Sequence, residues 1–97
     1  MRLADFVIKF LEEKKIDTVF TVSGGGSIFL CDALYKAKKL KYVSCHHEQA
    51  VSFATESFSR VKNKPGAAII TTGPGGTNCT TGVACCWIDS VPSIFIS

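Results

Sequence analysis

The apolar side chains of residues 3–15 recur every three or four positions, and charged side chains fill most of the positions between them. This period is typical of an amphipathic helix. Its predicted inner face consists of Leu3, Phe6, Val7, Phe10 and Leu11. The next stretch, residues 17–23, is β-branched and aromatic and predicts a buried strand. Three consecutive glycines, residues 24–26, then end this strand.

The same alternation of helical and extended patterns continues to the end of the chain. It predicts further helices over residues 28–38, 48–61 and 77–88, and further strands over residues 41–45, 67–72 and 90–97. The side chains predicted to face the core are Leu30, Ala33, Leu34 and Ala37 in the second helix, Ala50, Phe53, Ala54, Ser57 and Phe58 in the third, and Gly82, Cys86 and either Val83 or Ala84 in the fourth. Between these elements, KNKPG predicts a turn and GPGGTN a glycine loop.

Strands that alternate with helices at this spacing predict the α/β class. We expect a parallel sheet of about four strands with helices on both faces, connected by right-handed crossovers. The 97 residues are enough for one domain and too few for two. The last predicted strand runs directly into Ser97, with no following element to cover the sheet edge, so we expect a longer polypeptide in which residues 1–97 are one part.

Composition and charge narrow the classes of partner. The net charge of +3 comes largely from KAKKLK, residues 36–41, which predicts a solvated helix end rather than a nucleic-acid surface. No apolar run approaches eighteen residues and no secretory segment starts the chain, so we expect no membrane partner. Five cysteines without framework spacing favour reduced thiols and a cytoplasmic localisation.

Three stretches that could bind a ligand or take part in catalysis follow three of the predicted strands. They are SGGGS at residues 23–27, HHEQ at 46–49 and TGPGGTN at 72–78. Ligands of open α/β sheets bind outside the carboxyl ends of the strands, so we expect these stretches to share one rim. GPGGTN lacks the lysine of a P-loop, which argues against a nucleotide site. The glycine stretches alone therefore leave two alternatives open, an anion site or plain tight turns.

The cluster of Cys45, His46, His47 and Glu48 is a weak candidate for a metal site, because no second ligand pair appears at a suitable spacing elsewhere. We therefore predict no metal site. Glu48 by itself could be an ordinary acid in a first helical turn, where it complements the helix dipole. The histidines could likewise be plain strand-end residues.

Three motifs taken together and in order favour a more specific interpretation. HHEQA at residues 46–50, TTGPGGTN at 71–78 and DSVPSIFIS at 89–97 closely resemble the pyrimidine-binding N-terminal domain of thiamine diphosphate enzymes of the acetolactate synthase type. The resemblance covers essentially the whole chain, from Leu3 to Ser97. It implies a thiamine diphosphate-dependent transferase or lyase that acts on pyruvate-like 2-oxo acids. Some relatives also contain flavin (FAD), and the sequence leaves that question open.

The resemblance also implies roles for individual residues. Glu48 matches the glutamate that hydrogen-bonds N1′ of the aminopyrimidine and favours its imino tautomer, so that the 4′ nitrogen can remove the thiazolium C2 proton. Pro74, Gly75 and Asn78 fall in the glycine loop that lines the aminopyrimidine. Gly25 and Gly26 match the loop near the thiazolium and substrate, and His47 and Gln49 flank the glutamate, where they could orient it or the loop.

The family site has further parts that these residues do not contain. Its pyrimidine domain continues for two more strands, and a separate domain with a Gly-Asp-Gly motif, absent here, binds Mg²⁺ and diphosphate. The resemblance implies that the site forms between two subunits of a homo-oligomer and that this chain alone is inactive. Two alternatives are a non-catalytic interaction module that dimerises through its exposed edge at residues 94–97, and a split subunit that pairs with a separate diphosphate-binding chain.

Overall fold

The computed structural model describes all 97 residues and contains five helices and four strands. The helices are α1 (Leu3–Glu13), α2 (Ile28–Lys36), α3 (Glu48–Lys62), α4 (Pro74–Asn78) and α5 (Thr80–Ile88), with one 3₁₀ turn at Gly25–Ser27 before α2. The strands are β1 (Thr18–Thr21), β2 (Lys41–Ser44), β3 (Gly66–Ile69) and β4 (Ser93–Ile96). All four predicted strands are present, and each is shorter than the stretch of residues that was predicted to form it.

The four strands form one parallel sheet in the order β2-β1-β3-β4. Side chains alternate between the two faces, so Val19 and Ile69 pack under α1 and α2, whereas Ala68 packs against α3. Strand β3 is buried along its whole length, as expected for an inner strand covered on both faces. The prediction of an α/β fold with a parallel sheet of about four strands and helices on both faces is confirmed. None of the helices is both long and apolar enough to span a membrane.

The predicted inner face of α1 is largely wrong. Leu3 is 78% exposed and Phe6 is 56% exposed, whereas Ala4 and Ile8 are buried; Leu11 is buried as predicted. Helix α1 carries apolar residues on two sides, and the small side chain of Ala4 allows the closer approach to the core. Hydrophobic period alone could not choose between these two sides.

The predicted inner face of α3 is also largely wrong. Ala50, Phe53 and Ser57 are exposed, and Ala54 and Phe58 are half-buried. The buried positions are Val51, Ser52, Thr55 and Ser59. Three of these four side chains carry a hydroxyl group, and its burial costs little free energy when it has a hydrogen-bond partner. Thr55 Oγ1 donates to the Val51 carbonyl at 2.8 Å, and Ser59 Oγ donates to the Thr55 carbonyl at 3.1 Å.

The predicted glycine loop is a short helix. Gly73 has a φ of 75°, which only glycine adopts readily, and Pro74 starts α4 at the position where its missing N–H is not needed. The N–H of Thr77 closes the turn on the Gly73 carbonyl at 3.0 Å. As a result α5 begins at Thr80 rather than at residue 77.

The inner faces of the other two helices are partly as predicted. In α2, Ala33 and Leu34 are buried as predicted, whereas Leu30 and Ala37 are half-buried. In α5, Gly82 and Cys86 are buried, and Val83 and Ala84 are both exposed. Gly82 and Cys86 are therefore buried as predicted, and the burial of Gly82 reflects a close helix crossing rather than a hydrophobic side chain.

Candidate active site

The three candidate stretches lie at one rim of the sheet, as expected from the parallel strand directions. Thr71, two residues after the end of β3, joins two of them. The N–H of Gly26 donates to Thr71 Oγ1 at 3.1 Å. The methyl group of the same threonine lies close to the second glycine stretch, because a Cβ atom at Gly75 would lie only 2.8 Å from Thr71 Cγ2. Both glycine stretches therefore pack against this one threonine side chain.

Glu48 is the first residue of α3 and is half-buried, and only one of its two carboxylate oxygens accepts a side-chain hydrogen bond. Asn78 Nδ2 donates to Glu48 Oε1 at 3.0 Å. No side-chain donor reaches Oε2. A Cβ atom at Gly75 would lie 3.8 Å from Oε2, an ordinary contact distance, so this oxygen lies directly beside the glycine. The free oxygen is therefore available to an incoming donor.

The surroundings of Glu48 favour its ionised form. The hydrogen bond from Asn78 is the main cause that lowers the pKa of Glu48 below its ordinary value. The residue's own backbone N–H and the nearby His47 act in the same direction, and partial burial acts against them. The carboxylate is therefore charged at neutral pH and can accept a hydrogen bond or a proton.

The two residues that flank Glu48 contribute mainly through the backbone. His47 is the N-cap of α3, and its Nδ1 accepts a hydrogen bond from the backbone N–H of Gln49 at 3.0 Å. The ring proton must then lie on Nε2. The exposed side chain of Gln49 makes no hydrogen bond to Glu48. His47 thus fixes the start of the helix on which Glu48 lies.

The two glycines after β1 are farther from the carboxylate. A Cβ atom at Gly25 would meet nothing within 4 Å, so this residue lies open on the rim. Gly26 packs against Thr71 and the neighbouring Thr72. The structure thus brings Glu48, Gly75 and Asn78 together, whereas Gly25 and Gly26 are connected to them through Thr71. Pro74 lies exposed in the first turn of α4.

No group of three side chains from histidine, cysteine, aspartate and glutamate converges in the geometry of a metal site. All five cysteines are free thiols. The chemistry that this rim offers is that of one carboxylate with glycine-lined space beside it.

The whole chain, residues 1–97, matches the family model described as "Thiamine pyrophosphate enzyme, N-terminal TPP binding domain". The chain belongs to this family. It is 39% identical over 94 residues to the chloroplastic acetolactate synthase of Arabidopsis thaliana, an alignment that covers 97% of this chain and 14% of the relative. It is 37% identical over 94 residues to acetolactate synthase of Mycobacterium leprae, with 97% and 15% covered. It is 34% identical over 94 residues to the acetolactate synthase large subunit of Buchnera aphidicola, with 97% and 16% covered.

These findings confirm the resemblance on which the sequence interpretation rests. The chain spans about 14 to 16% of the length of these curated relatives and corresponds to a thiamine pyrophosphate enzyme N-terminal domain. Membership in a family with such relatives does not favour the alternative of a non-catalytic interaction module.

The residues at the rim fit the cofactor of this family. A ring N–H needs a carboxylate oxygen that is not bonded by another side chain. Glu48 Oε2 meets this requirement, because Asn78 bonds only Oε1 and the neighbouring Gly75 has no side chain. A longer side chain at position 75 would remove this fit.

Two residues of the site were not foreseen from the sequence. Thr71 joins the glycine stretches, and only its place beside GPGG could have suggested it. Cys79 lies between α4 and α5, and its Sγ donates to the backbone carbonyl of Glu48 at 3.3 Å. Burial is the main cause that raises the pKa of Cys79 to about 11, and the negative charge of Glu48 adds to it. No sequence signal indicates this contact.

A close crossing of α3 and α5 fixes the two sides of the site relative to each other. A Cβ atom at Gly82 of α5 would overlap Ser52 of α3, so the helix backbones approach closely there. Ser52 is fully buried, and its Oγ donates to the Gln49 carbonyl at 2.7 Å. The crossing lies one turn beyond Glu48 and holds the junction of α4 and α5 against the start of α3.

Proposed function

We propose that this chain supplies the cofactor-activating half of a thiamine diphosphate site in an acetolactate synthase-like transferase or lyase that acts on pyruvate-like 2-oxo acids. We also propose that residues 1–97 are the N-terminal part of a pyrimidine-binding domain. The observation that carries the proposal is the carboxylate of Glu48, with Oε1 bonded by Asn78 and Oε2 beside Gly75, in a chain of this family.

In this proposal Glu48 Oε2 would share one proton with N1′ of the aminopyrimidine: as the carboxylic acid it would donate to the bare ring nitrogen, and as the carboxylate it would accept from N1′–H. Thiamine diphosphate, when bound, supplies the carbon nucleophile and the electron sink for 2-oxo acid chemistry. Pro74 and Gly75 line the aminopyrimidine from the first turn of α4. Gly25 and Gly26 face the thiazolium and substrate, and the open surroundings of Gly25 are suited to a close approach by a ligand.

The proposed site needs parts that lie outside this chain. Mg²⁺ and the diphosphate group would be bound by a second domain with a Gly-Asp-Gly motif, in the same polypeptide or in a partner chain. We propose that this domain comes from another subunit of a homo-oligomer, so that residues 1–97 alone do not turn over substrate. We place the complete enzyme in the cytoplasm; three plant relatives are named as chloroplastic.

The gene offers the first test. An open reading frame that continues from the codon for Ser97 into a Gly-Asp-Gly domain would support the proposal. A true stop at that codon, in a genome without a partner gene for such a domain, would contradict it.

The decisive test is Glu48→Gln in the polypeptide that carries the diphosphate-binding domain. The variant keeps the size and hydrogen bonding of the side chain but removes the acid, so we expect exchange of the cofactor C2 proton to fall by about 100-fold or more. The exchange is followed by NMR in deuterated buffer. Glu56→Gln is the matched control, because Glu56 lies on the same helix and bonds Arg60 away from the site. Retained C2 exchange in Glu48→Gln would remove Glu48 from the proposed role.

A further inference from the structure

Two consecutive residues at the junction of α4 and α5 contact Glu48 at two different points. Asn78 Nδ2 donates to the carboxylate oxygen Oε1 at 3.0 Å. Cys79 Sγ donates to the main-chain carbonyl of the same residue at 3.3 Å. One bond restrains the side chain of Glu48 and the other restrains its backbone. The two residues come from a distant part of the chain, thirty and thirty-one positions later.

The geometry of the junction fixes the direction of both side chains. Cys79 is the single residue between the two helices; its N–H donates to the Gly76 carbonyl at 3.1 Å and its carbonyl accepts from Val83 at 3.0 Å. With both backbone groups bonded, the peptide cannot rotate freely. The Cys79 side chain is 1% exposed and packs in a core cluster with Val51 and Ala68.

The Cys79 thiol acts as a donor rather than as a nucleophile. Burial raises the pKa of Cys79 to about 11, so the group keeps its proton at neutral pH. A thiolate at this position would repel the carbonyl oxygen of Glu48 and could not donate a hydrogen bond. The protonated thiol therefore matches the role that its geometry indicates.

We propose that Asn78 and Cys79 are positioning residues that hold Glu48 at two points, Cys79 through the first peptide of α3 and Asn78 through carboxylate oxygen Oε1. Asn78 then acts through Glu48 rather than as a direct contact of the cofactor. With Oε1 occupied, Oε2 is the oxygen that faces the space beside Gly75. Only the purpose of this arrangement rests on the proposed function; the two contacts themselves do not.

The first experiment tests the carboxylate contact by NMR titration of the glutamate side-chain carboxyl carbons in the 97-residue chain. The other glutamates are Glu12, Glu13 and Glu56, so the signal of Glu48 can be assigned by its Gln variant. We expect Asn78→Ala to raise the pKa of Glu48, because the hydrogen bond that favours the charged form is lost. The exposed residue Thr81 supplies the control variant Thr81→Ala, which should leave the titration unchanged. An unchanged pKa in Asn78→Ala would overturn this half of the proposal.

The second experiment tests the backbone contact by amide hydrogen exchange. The N–H of Val51, in the first turn of α3, bonds the His47 carbonyl, and the N–H of Asn63 bonds the Ser59 carbonyl at the other end of the helix. We expect Cys79→Ala to reduce protection of Val51 relative to Asn63 by about two- to tenfold, the size of one hydrogen bond. Cys79→Ser keeps a donor and should restore the ratio.

Cys86→Ala is the matched control for Cys79→Ala, because Cys86 is another buried cysteine of the same region and has no contact with Glu48. It should leave the ratio of Val51 to Asn63 protection unchanged. An equal loss of protection at both ends of α3, or a loss that serine does not restore, would overturn the role of Cys79. If Cys79→Ala does not fold, the protection ratio of Cys79→Ser is compared with that of the original chain to test the role of Cys79. The titration of Asn78→Ala tests the role of Asn78 independently.

The outcomes separate this inference from the proposed function. If both NMR effects appear while Glu48→Gln retains C2 exchange, the positioning contacts stand and the proposed function fails. If neither NMR effect appears while Glu48→Gln abolishes C2 exchange, the proposed function stands and the positioning role fails.

Discussion

At the scale of single residues, the site depends on the absence of a side chain at position 75. Gly75 is buried tightly against Thr71, and Oε2 of Glu48 lies at contact distance beside it. The threonine in turn accepts a hydrogen bond from Gly26 and so holds the neighbouring stretch in place. A change at Gly75 should therefore affect both the stability of the rim and the space beside Glu48.

We expect Gly75→Ala to lower the free energy of unfolding by about 1 to 3 kcal/mol, the usual cost of added volume in a packed region. The new Cβ atom would lie 2.8 Å from Thr71 Cγ2, which is closer than real Cβ contacts allow. Chemical denaturation of the 97-residue chain measures the effect. Gly25→Ala is the control, since a Cβ atom there would meet nothing within 4 Å and should change stability little. Equal stability of the two variants would show that the packing around Gly75 is looser than described.

At the scale of helices and strands, the order of the four strands and the four longer helices was predictable from the sequence, and the inner faces of α1 and α3 were not. The alternation of strand and helix patterns predicted every strand, because short extended runs, two of them followed by glycine, are a local signal. The faces of α1 and α3 were wrong for a physical reason. In α3 the residues that approach the sheet are small and hydroxyl-bearing, and their burial depends on hydrogen bonds that no hydrophobic pattern records.

The candidate site shows the same division between local and long-range information. Glu48 and the glycine stretch were found from the sequence because their motifs are contiguous. The contacts of Thr71 and Cys79 were missed because each joins segments that meet only after the sheet has formed. The start of α4, the helix that carries Asn78 toward Glu48, also depends on a positive φ at Gly73 that the sequence permits but does not require.

The buried hydroxyl face of α3 provides a test of the corrected helix orientation. Ser59 Oγ accepts a hydrogen bond from the N–H of Gly66 at 2.7 Å, where β3 begins. Ser59→Ala would leave this buried N–H without a partner, and we expect it to lower the free energy of unfolding by about 1 to 3 kcal/mol. Ser57→Ala, at a position that the hydrophobic pattern predicted to be buried but that is exposed, should change it by less than about 0.5 kcal/mol. The reverse order of the two effects in denaturation experiments would mean that α3 is rotated from the orientation described.

At the scale of the whole molecule, both faces of the sheet are covered, yet the outer helix surfaces carry large apolar side chains. On α5, Trp87 is 85% exposed and Ile88 is 76% exposed; on α1, Leu3 is 78% exposed. Isolated exposed apolar residues are common, but adjacent ones favour association. The acetolactate synthase relatives are several times longer than this chain, and in a longer protein such surfaces can be covered by other parts.

These exposed side chains lead to a prediction about the 97-residue chain in solution. We expect the chain to associate at high concentration, because burying Trp87 and Ile88 between copies removes apolar surface from water at about 25 cal/mol per Å². Replacing both with glutamine should raise the concentration at which light scattering detects association. The thermal midpoint should change little, since neither side chain contributes to the core. Ser93→Ala, at the edge strand and without added polarity, serves as the control. If the double variant associates at the same concentration as the original chain, this surface of α5 does not drive association, and the other exposed apolar side chains, those of α1 first, would have to account for it.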